Sequence, residues 1–267
     1  MINPTFISGE ITRASEKEIV SAEDRLAVEE PLEIRLGNSP VAITMRTPGH
    51  DHELATGFLL TESVIRKAED IEGLAGPQRN SPNVVSVKLR RGLRFNRERL
   101  NRYFHTTSSC GLCGKTTLEA IRVKTPPISS DLRISLTLLY ALPEKLRSEQ
   151  ETFDETGGLH AAALFSDQGE LLFAREDVGR HNAVDKAIGA ALRDGIFPLE
   201  RHILMVSGRA SFEIMQKALM ARIPIVAAVS APSSLAVALA RKFKMTLAGF
   251  LRDGRCNIYA GEQRLAG

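Results

Sequence analysis

The chain has 267 residues, 43% of them hydrophobic and 25% charged, enough for one large domain or two smaller ones with a substantial buried core. Three cysteines cannot make a disulfide framework, residues 1–17 lack the apolar stretch of a secretory signal, and no apolar run approaches the roughly 20 residues of a membrane span. The expectation is a cytoplasmic protein without a membrane partner; with 5% aromatic residues, no Trp, no recognised reader motif and a net charge of +3, nucleic acid is not expected either.

From the start of the chain, period-two alternation places strands at Leu26 and Val28, at Leu32, Ile34 and Leu36, and at Val41, Ile43 and Met45. Turns are expected at Glu30-Pro31 and at Gly37-Asn38-Ser39-Pro40. After Pro48-Gly49, Leu54, Phe58, Leu59 and Val64 recur at helical spacing, and Asp51 stands where that helix starts. His50 and His52 flank the start and read as capping or solvent-facing groups rather than ligands. Val84, Val85, Val87 and Leu89 make another strand. Between Arg79 and Arg102 lie eight Arg or Lys residues against the single acid Glu98. That run reads as a solvated face, with a landing surface for an anionic ligand or acidic partner as the sharper alternative.

Two of the three cysteines follow at once, in Ser108-Ser109-Cys110-Gly111-Leu112-Cys113-Gly114-Lys115. Thr116, Thr117, Leu118, Glu119, Ala120 and Ile121 read as the first turns of a helix, which puts both thiols near a helix N-terminus where a thiolate is favoured. A free cysteine titrates near about 8.5 and falls to roughly 3.5 to 7.5 in such settings, so the loop is a candidate for sulfur chemistry. Three readings stay open. A zinc site needs about four ligands, and only Cys256 and scattered histidines such as His105 are available to complete one. A redox dithiol should open the first helix of a βαβ unit, whereas here a basic segment precedes it. A sulfur carrier would hold sulfane sulfur as a persulfide on one thiol, with the other to resolve or stabilise it.

Pro126-Pro127 marks a soft boundary between an N-terminal α/β unit, 1–125, carrying the cysteine loop at its end, and a larger α/β domain, 126–267. Beyond it a helix is expected over 135–150, with Pro143 marking a restart. A hairpin over 160–175 comes next, then helix 183–193, strand 202–206, helix 211–221, strand 224–229, helix 233–243 and strand 245–251. Asp253-Gly254 turns the chain into a last strand over 256–259, where Cys256 alternates with Ile258 and reads as a small buried hydrophobe. Such alternation implies a mixed sheet with parallel pairs, covered by helices. Ligands collect at the carboxyl ends of parallel strands, and those positions carry Arg180-His181-Asn182, Ser207-Gly208-Arg209-Ala210-Ser211 and Ser230-Ala231-Pro232-Ser233-Ser234. Two of these loops set serines and backbone N–H groups at helix starts, an arrangement suited to phosphate.

Thr156-Gly157-Gly158-Leu159-His160-Ala161-Ala162 raises zinc nucleobase deamination, but Ala162 stands in the place of the acid-base Glu and no Cys-x-x-Cys follows. His160 is therefore read as a neutral, hydrogen-bonded histidine.

The cysteine loop, the segment 156–162, Arg175-Glu176-Asp177-Val178-Gly179-Arg180-His181-Asn182-Ala183-Val184-Asp185-Lys186, Ser207-Gly208-Arg209-Ala210-Ser211-Phe212-Glu213-Ile214, Ser230-Ala231-Pro232-Ser233-Ser234-Leu235-Ala236-Val237 and Gly249-Phe250-Leu251-Arg252 together resemble the FdhD family, in that family's order. The resemblance implies a sulfurtransferase needed for active formate dehydrogenase. A cysteine desulfurase would load sulfur on the loop, for transfer to the molybdenum or tungsten bis(guanine dinucleotide) pterin cofactor before its insertion. It also implies a cytidine-deaminase-like fold in the larger domain and a homodimer; no structural metal is expected. By position, Cys110 would carry the persulfide and Cys113 would be its partner.

The stretch Phe250, Leu251, Arg252, Asp253, Gly254 and Arg255 would contact the cofactor, of which GDP is a fragment. Phe250 would pack on a base, Asp253 would accept from guanine N–H groups, and the two arginines would meet phosphate. An ordinary Asp-Gly hairpin turn is the plainer alternative. Ser207, Gly208 and Arg209 are added as a phosphate cradle on the same edge. Arg222 departs from the pattern, since the resemblance leads one to expect Gly there. A binding chaperone that delivers the cofactor without moving sulfur, and a zinc-stabilised adaptor, are the rival functions.

Overall fold

The computed structural model describes residues 4–93 and 125–266. The first element is an antiparallel ribbon of β1 (Phe6–Ala14) and β2 (Ile19–Ala27). Strands β3 (Glu30–Leu36) and β4 (Ser39–Arg46), helix α1 (Asp51–Thr61), and strands β5 (Ile71–Ala75) and β6 (Val84–Leu89) follow. They build a four-stranded sheet ordered β4-β3-β6-β5. The alternation at Leu32, Ile34 and Leu36 is the core face of β3. Glu30-Pro31 is not a turn but the start of that strand. Pairing of β3 with β6 begins only at Glu33, so on that side the missing N–H of Pro31 is never called upon. Strand β5 went unforeseen, because Ile71-Glu72-Gly73-Leu74-Ala75 has neither clean alternation nor β-branched residues beyond Ile71.

The residues described from 125 onward comprise β7 (Ile134–Ser135), α2 (Leu136–Arg147), α3 (Glu151–Thr156), β8 (His160–Phe165), β9 (Leu171–Asp177), α4 (Arg180–Arg193), β10 (Ile203–Val206) and α5 (Phe212–Met220). They continue through β11 (Ile225–Ala228), α6 (Ser234–Lys242), β12 (Thr246–Arg252), β13 (Arg255–Ala260) and β14 (Leu265–Ala266). A six-stranded mixed sheet runs β13-β12-β11-β10-β8-β9, with β10, β11 and β12 parallel and the others antiparallel. Pro143 does not restart a helix; it lies inside α2, and the chain breaks later, between Arg147 and Glu151. Leu139, Leu142 and Leu146 carry the helix through the proline, since all three are buried against the sheet.

The sheet's two faces follow from its period of two. Ala161, Ala163, Phe165, Ile203 and Met205 pack on the α2 side; Ala162, Leu164, Leu204 and Val206 pack on the side of α1, α4, α5 and α6. The core crosses Pro126, because α1 from the first part of the chain lies directly on α4 from the second. Two glycines permit this. A Cβ on Gly57 would stand 1.9 Å from the carbonyl oxygen of Asp185, and one on Gly189 would stand 1.9 Å from that of Glu53. Beside the crossing, Arg175 grips Glu53 with Nε at 2.5 Å and Nη2 at 2.9 Å. Although burial pushes the Glu53 carboxyl up, Arg175 and His50 outweigh it and hold the group near about 2.

Most of the motif 175–186 is structural. The buried Lys186 meets Asp177 at 2.6 Å and donates to the carbonyls of Thr47 and Glu176, while Asn182 joins Asp177 to the carbonyl of Met45. These contacts fasten the end of β4 to the six-stranded sheet. Glu176 accepts from the N–H groups of Thr152 and Phe153 and so caps α3. Arg222 has φ 65, the left-handed backbone that explains why Gly was expected there, and its guanidinium donates to the carbonyls of Pro126 and Pro127.

Candidate functional site

Strands β10, β11 and β12 are parallel, so their carboxyl ends share one edge of the sheet. Antiparallel pairing of β8 with β10, and of β9 with β8 through His160 opposite Asp177, brings the start of β8 and the start of α4 to that same edge. A cavity of about 870 Å³ opens there. Ser207, Gly208 and Arg209 line it after β10, Val229 and Ser230 after β11, Arg252 and Asp253 at the end of β12, with His160 and Arg180 beside them. Glu144, Arg147, Gln150 and Phe153, with Leu146 and Leu159, supply the α2–α3 side. This is where the topology of an open α/β sheet puts a ligand.

Among the described residues four arginines and two carboxylates line the cavity. Arg147 pairs with Asp154 and lies 5.0 Å over the ring of Phe153. Arg180 is different: its Nε is buried and has no hydrogen-bond partner among the described residues. A buried guanidinium nitrogen in this condition calls for an acceptor. His160 is half-buried, and burial, Arg180 and Arg209 together push its pKa down, so its ring is neutral near pH 7. The expectation of a neutral histidine holds, but among the described residues no hydrogen bond reaches its ring. Gly208 packs on that ring; a Cβ there would sit 3.3 Å from Nδ1.

Of the residues singled out from sequence, Ser207, Gly208, Arg209, Arg252 and Asp253 come together in the cavity. Asp253 and Gly254, with φ 53 and 65, are a two-residue turn joining Arg252 to Arg255, so the ordinary Asp-Gly hairpin is present and its first residue also lines the cavity. Leu251 is fully buried in the core on the α2 side. Phe250, Gly254 and Arg255 are not in the cavity wall; the aromatic ring that is belongs to Phe153. Phe250 has φ 53 beside a bulge between Gly249 and Arg252, a strained backbone for a bulky residue, and is 38% exposed. Ser211 and Ser233 cap α5 and α6, accepting from Ile214 and Ala236, and neither lines the cavity.

Cys110 and Cys113 lie outside the described residues, as does the basic run beyond residue 93. Before residue 93, Lys88 pairs with Glu72 on the surface, and Arg90 reaches the buried carboxylate of Asp70. Cys256 is half-buried, and burial pushes its thiol up, away from the reactive thiolate. Among the described residues no cluster of His, Cys, Asp and Glu fits a metal ion, and no helix is long and apolar enough to cross a membrane. Sequence reasoning placed Arg180 on the ligand edge without a role and missed the whole α2–α3 wall. Arg180 stood within a quoted motif but carried no role, and Glu144 and Phe153 sit on helices whose pattern signals only amphipathicity.

The FdhD/NarQ family model matches residues 27–266. "Sulfur carrier protein FdhD" of Streptomyces avermitilis is 52% identical, with 96% of this chain and 94% of that protein covered. The protein of that name from Saccharolobus solfataricus is 42% identical, with 96% of each covered. The crystal structure of a protein described as a formate dehydrogenase accessory protein, from Desulfotalea psychrophila, superposes with a TM-score of 0.80 over 98% of this chain and all of the other; at 23% identity this likeness speaks for the fold. With nearly the whole chain matched, and with close relatives of almost equal length, the chain belongs to the FdhD/NarQ family.

Proposed function

We propose that this chain is a sulfur carrier of formate dehydrogenase maturation, which receives sulfur from a cysteine desulfurase and gives it to a molybdenum or tungsten bis(guanine dinucleotide) pterin cofactor held in the cavity. The names of its relatives support the general role. The observation that carries the cofactor reading is the meeting of Ser207-Gly208-Arg209 with Arg252-Asp253, 43 and more residues apart in sequence, around a buried Arg180 nitrogen that lacks an acceptor. Arg180 and Arg209 suit the pyrophosphate; Phe153 and the carboxylates of Glu144 and Asp253 suit a guanine base. The reading takes the larger part of the chain as cytidine-deaminase-like, the protein as a cytoplasmic homodimer, and the cofactor as cargo.

In the sulfur step, the Cys110 thiolate attacks the outer sulfur of the desulfurase persulfide. One S–S bond forms and one breaks, the donor leaves as a thiolate, and no outside oxidant is needed. Attack by the Cys113 thiolate on the Cys110 sulfur then expels the outer sulfur as hydrosulfide toward the cofactor metal. The pair supplies both electrons and is left as a disulfide, which a cellular thiol must reduce.

GDP tests the cavity. Titration calorimetry is expected to show binding to the full chain and a loss of about 10- to 100-fold in Arg209→Ala and in Asp253→Ala, the worth of one charge-assisted hydrogen bond. Asp253→Ala should also narrow the preference for GDP over ADP. No binding by the wild type, or unchanged affinity in both folded variants, would move the cofactor elsewhere.

A pH dependence follows from His160. A phosphate brought beside it offsets Arg180 and Arg209 and raises the ring's proton affinity, so binding takes up a proton. GDP affinity should therefore rise as pH falls from about 8 toward the ordinary histidine range near 6.5. Heats measured in buffers of different ionisation enthalpy report the uptake. His160→Gln should abolish it, and equal uptake by that variant would assign the proton to the ligand.

A further inference from the structure

The buried arginines outside the cavity differ sharply. Arg46, fully buried, is matched on all three nitrogens by Asp51, Glu30 and Asn83. Arg264 is only 6% exposed, yet among the described residues its Nε and Nη1 are buried without a partner, and Nη2 makes a single long bond to the Ser130 carbonyl at 3.4 Å. Among the described residues no carboxylate pairs with it, and burial pushes its pKa down with nothing opposing. An unmatched buried guanidinium is strongly unfavourable, so the fold keeps it against a cost.

Arg264 lies in the wall of a separate cavity of about 500 Å³, with Lys244, Arg133, Ser129 and Asp131. Among the described residues three cations therefore line the cavity with one carboxylate, and that carboxylate is already held by Arg201 at 3.2 Å. A singly charged carboxylate ligand would leave two of the cations unmatched; a phosphate dianion comes closer to balance and offers several acceptors to the orphaned guanidinium nitrogens.

We propose that this second cavity binds a phosphate-class oxyanion, with Arg264 as its buried donor and Lys244 and Arg133 as flanking cations. The bound ion would join the segment entering β7 to the turn before β14, two strands that pair with each other. Its occupancy would stabilise the fold. None of these residues belongs to the cofactor cavity, so the proposal stands apart from the function argued above.

Thermal unfolding of the full chain in sodium phosphate and in sodium chloride, at matched pH and ionic strength, tests it. At about a hundredfold excess of phosphate over Kd the midpoint should rise by about 5–10 °C. In Arg264→Met that rise should vanish, while the midpoint in chloride equals or exceeds that of the wild type, because the uncompensated charge is gone. Lys244→Met, at a side chain the core does not need, should weaken phosphate about tenfold, and Arg209→Met in the other cavity should respond as the wild type does. No rise in the wild type, an equal rise in Arg264→Met, or loss of the rise in Arg209→Met alone would overturn the proposal. Should Arg264→Met fail to fold, a wild-type response from Lys244→Met overturns it equally.

Discussion

Asp177→Ala is expected to lower the stability of the chain by about 3–5 kcal/mol, because it leaves the Lys186 ammonium buried without its counter-charge. Asp177 is fully buried and Lys186 is 1% exposed, and the two meet at 2.6 Å. The same carboxylate accepts from the N–H of Thr47 and of Gly179 and from Asn182, so its loss also strands donors just after β4 and at the start of α4. Urea denaturation measures the effect. Combining Asp177→Ala with Lys186→Met should recover part of the loss, with a coupling of about 1–3 kcal/mol. A cost below about 1 kcal/mol with simple additivity would mean that the motif does not fasten β4 to the larger sheet.

Cys110→Ala is expected to leave formate dehydrogenase as inactive as complete absence of the chain, while the variant still binds GDP. A sulfane sulfur needs a thiolate to receive it, and alanine offers none. The comparison separates the sulfur carrier from the binding chaperone, which would tolerate the change. Cys113→Ala should retain loading on Cys110 but release sulfur inefficiently, since in the proposed step the second thiolate expels it.

The strand-helix alternation after residue 160 was legible because each element buries a continuous or two-period apolar run, as at Ile203–Val206 and Ile225–Ala228, and the turns between carry Gly, Ser or Pro. The candidate phosphate loops were legible for a topological reason: parallel strands put their carboxyl ends on one edge wherever they occur. What stayed hidden depended on distant contacts. Pro143 was read as a break because local propensity says so, whereas the buried Leu139, Leu142 and Leu146 override it. Phe153 could not be distinguished from any amphipathic-helix aromatic until α3 was seen beside His160 and Arg209. Leu251 and Phe250 were grouped with their neighbours as one contact stretch, but a strand alternates its faces, and the bulge after Gly249 turns Leu251 into the core. Arg264 had no sequence signal at all, since an orphaned guanidinium is defined by what does not surround it.

In the proposed transfer Cys110 carries the sulfur. Intact-protein mass spectrometry after incubation with a cysteine desulfurase and cysteine tests it directly. The wild type and Cys256→Ala should each gain about 32 mass units, one sulfur, reversed by a thiol reductant, and Cys110→Ala should gain none. Equal, reducible gain by Cys110→Ala, together with normal formate dehydrogenase activation, would contradict the account.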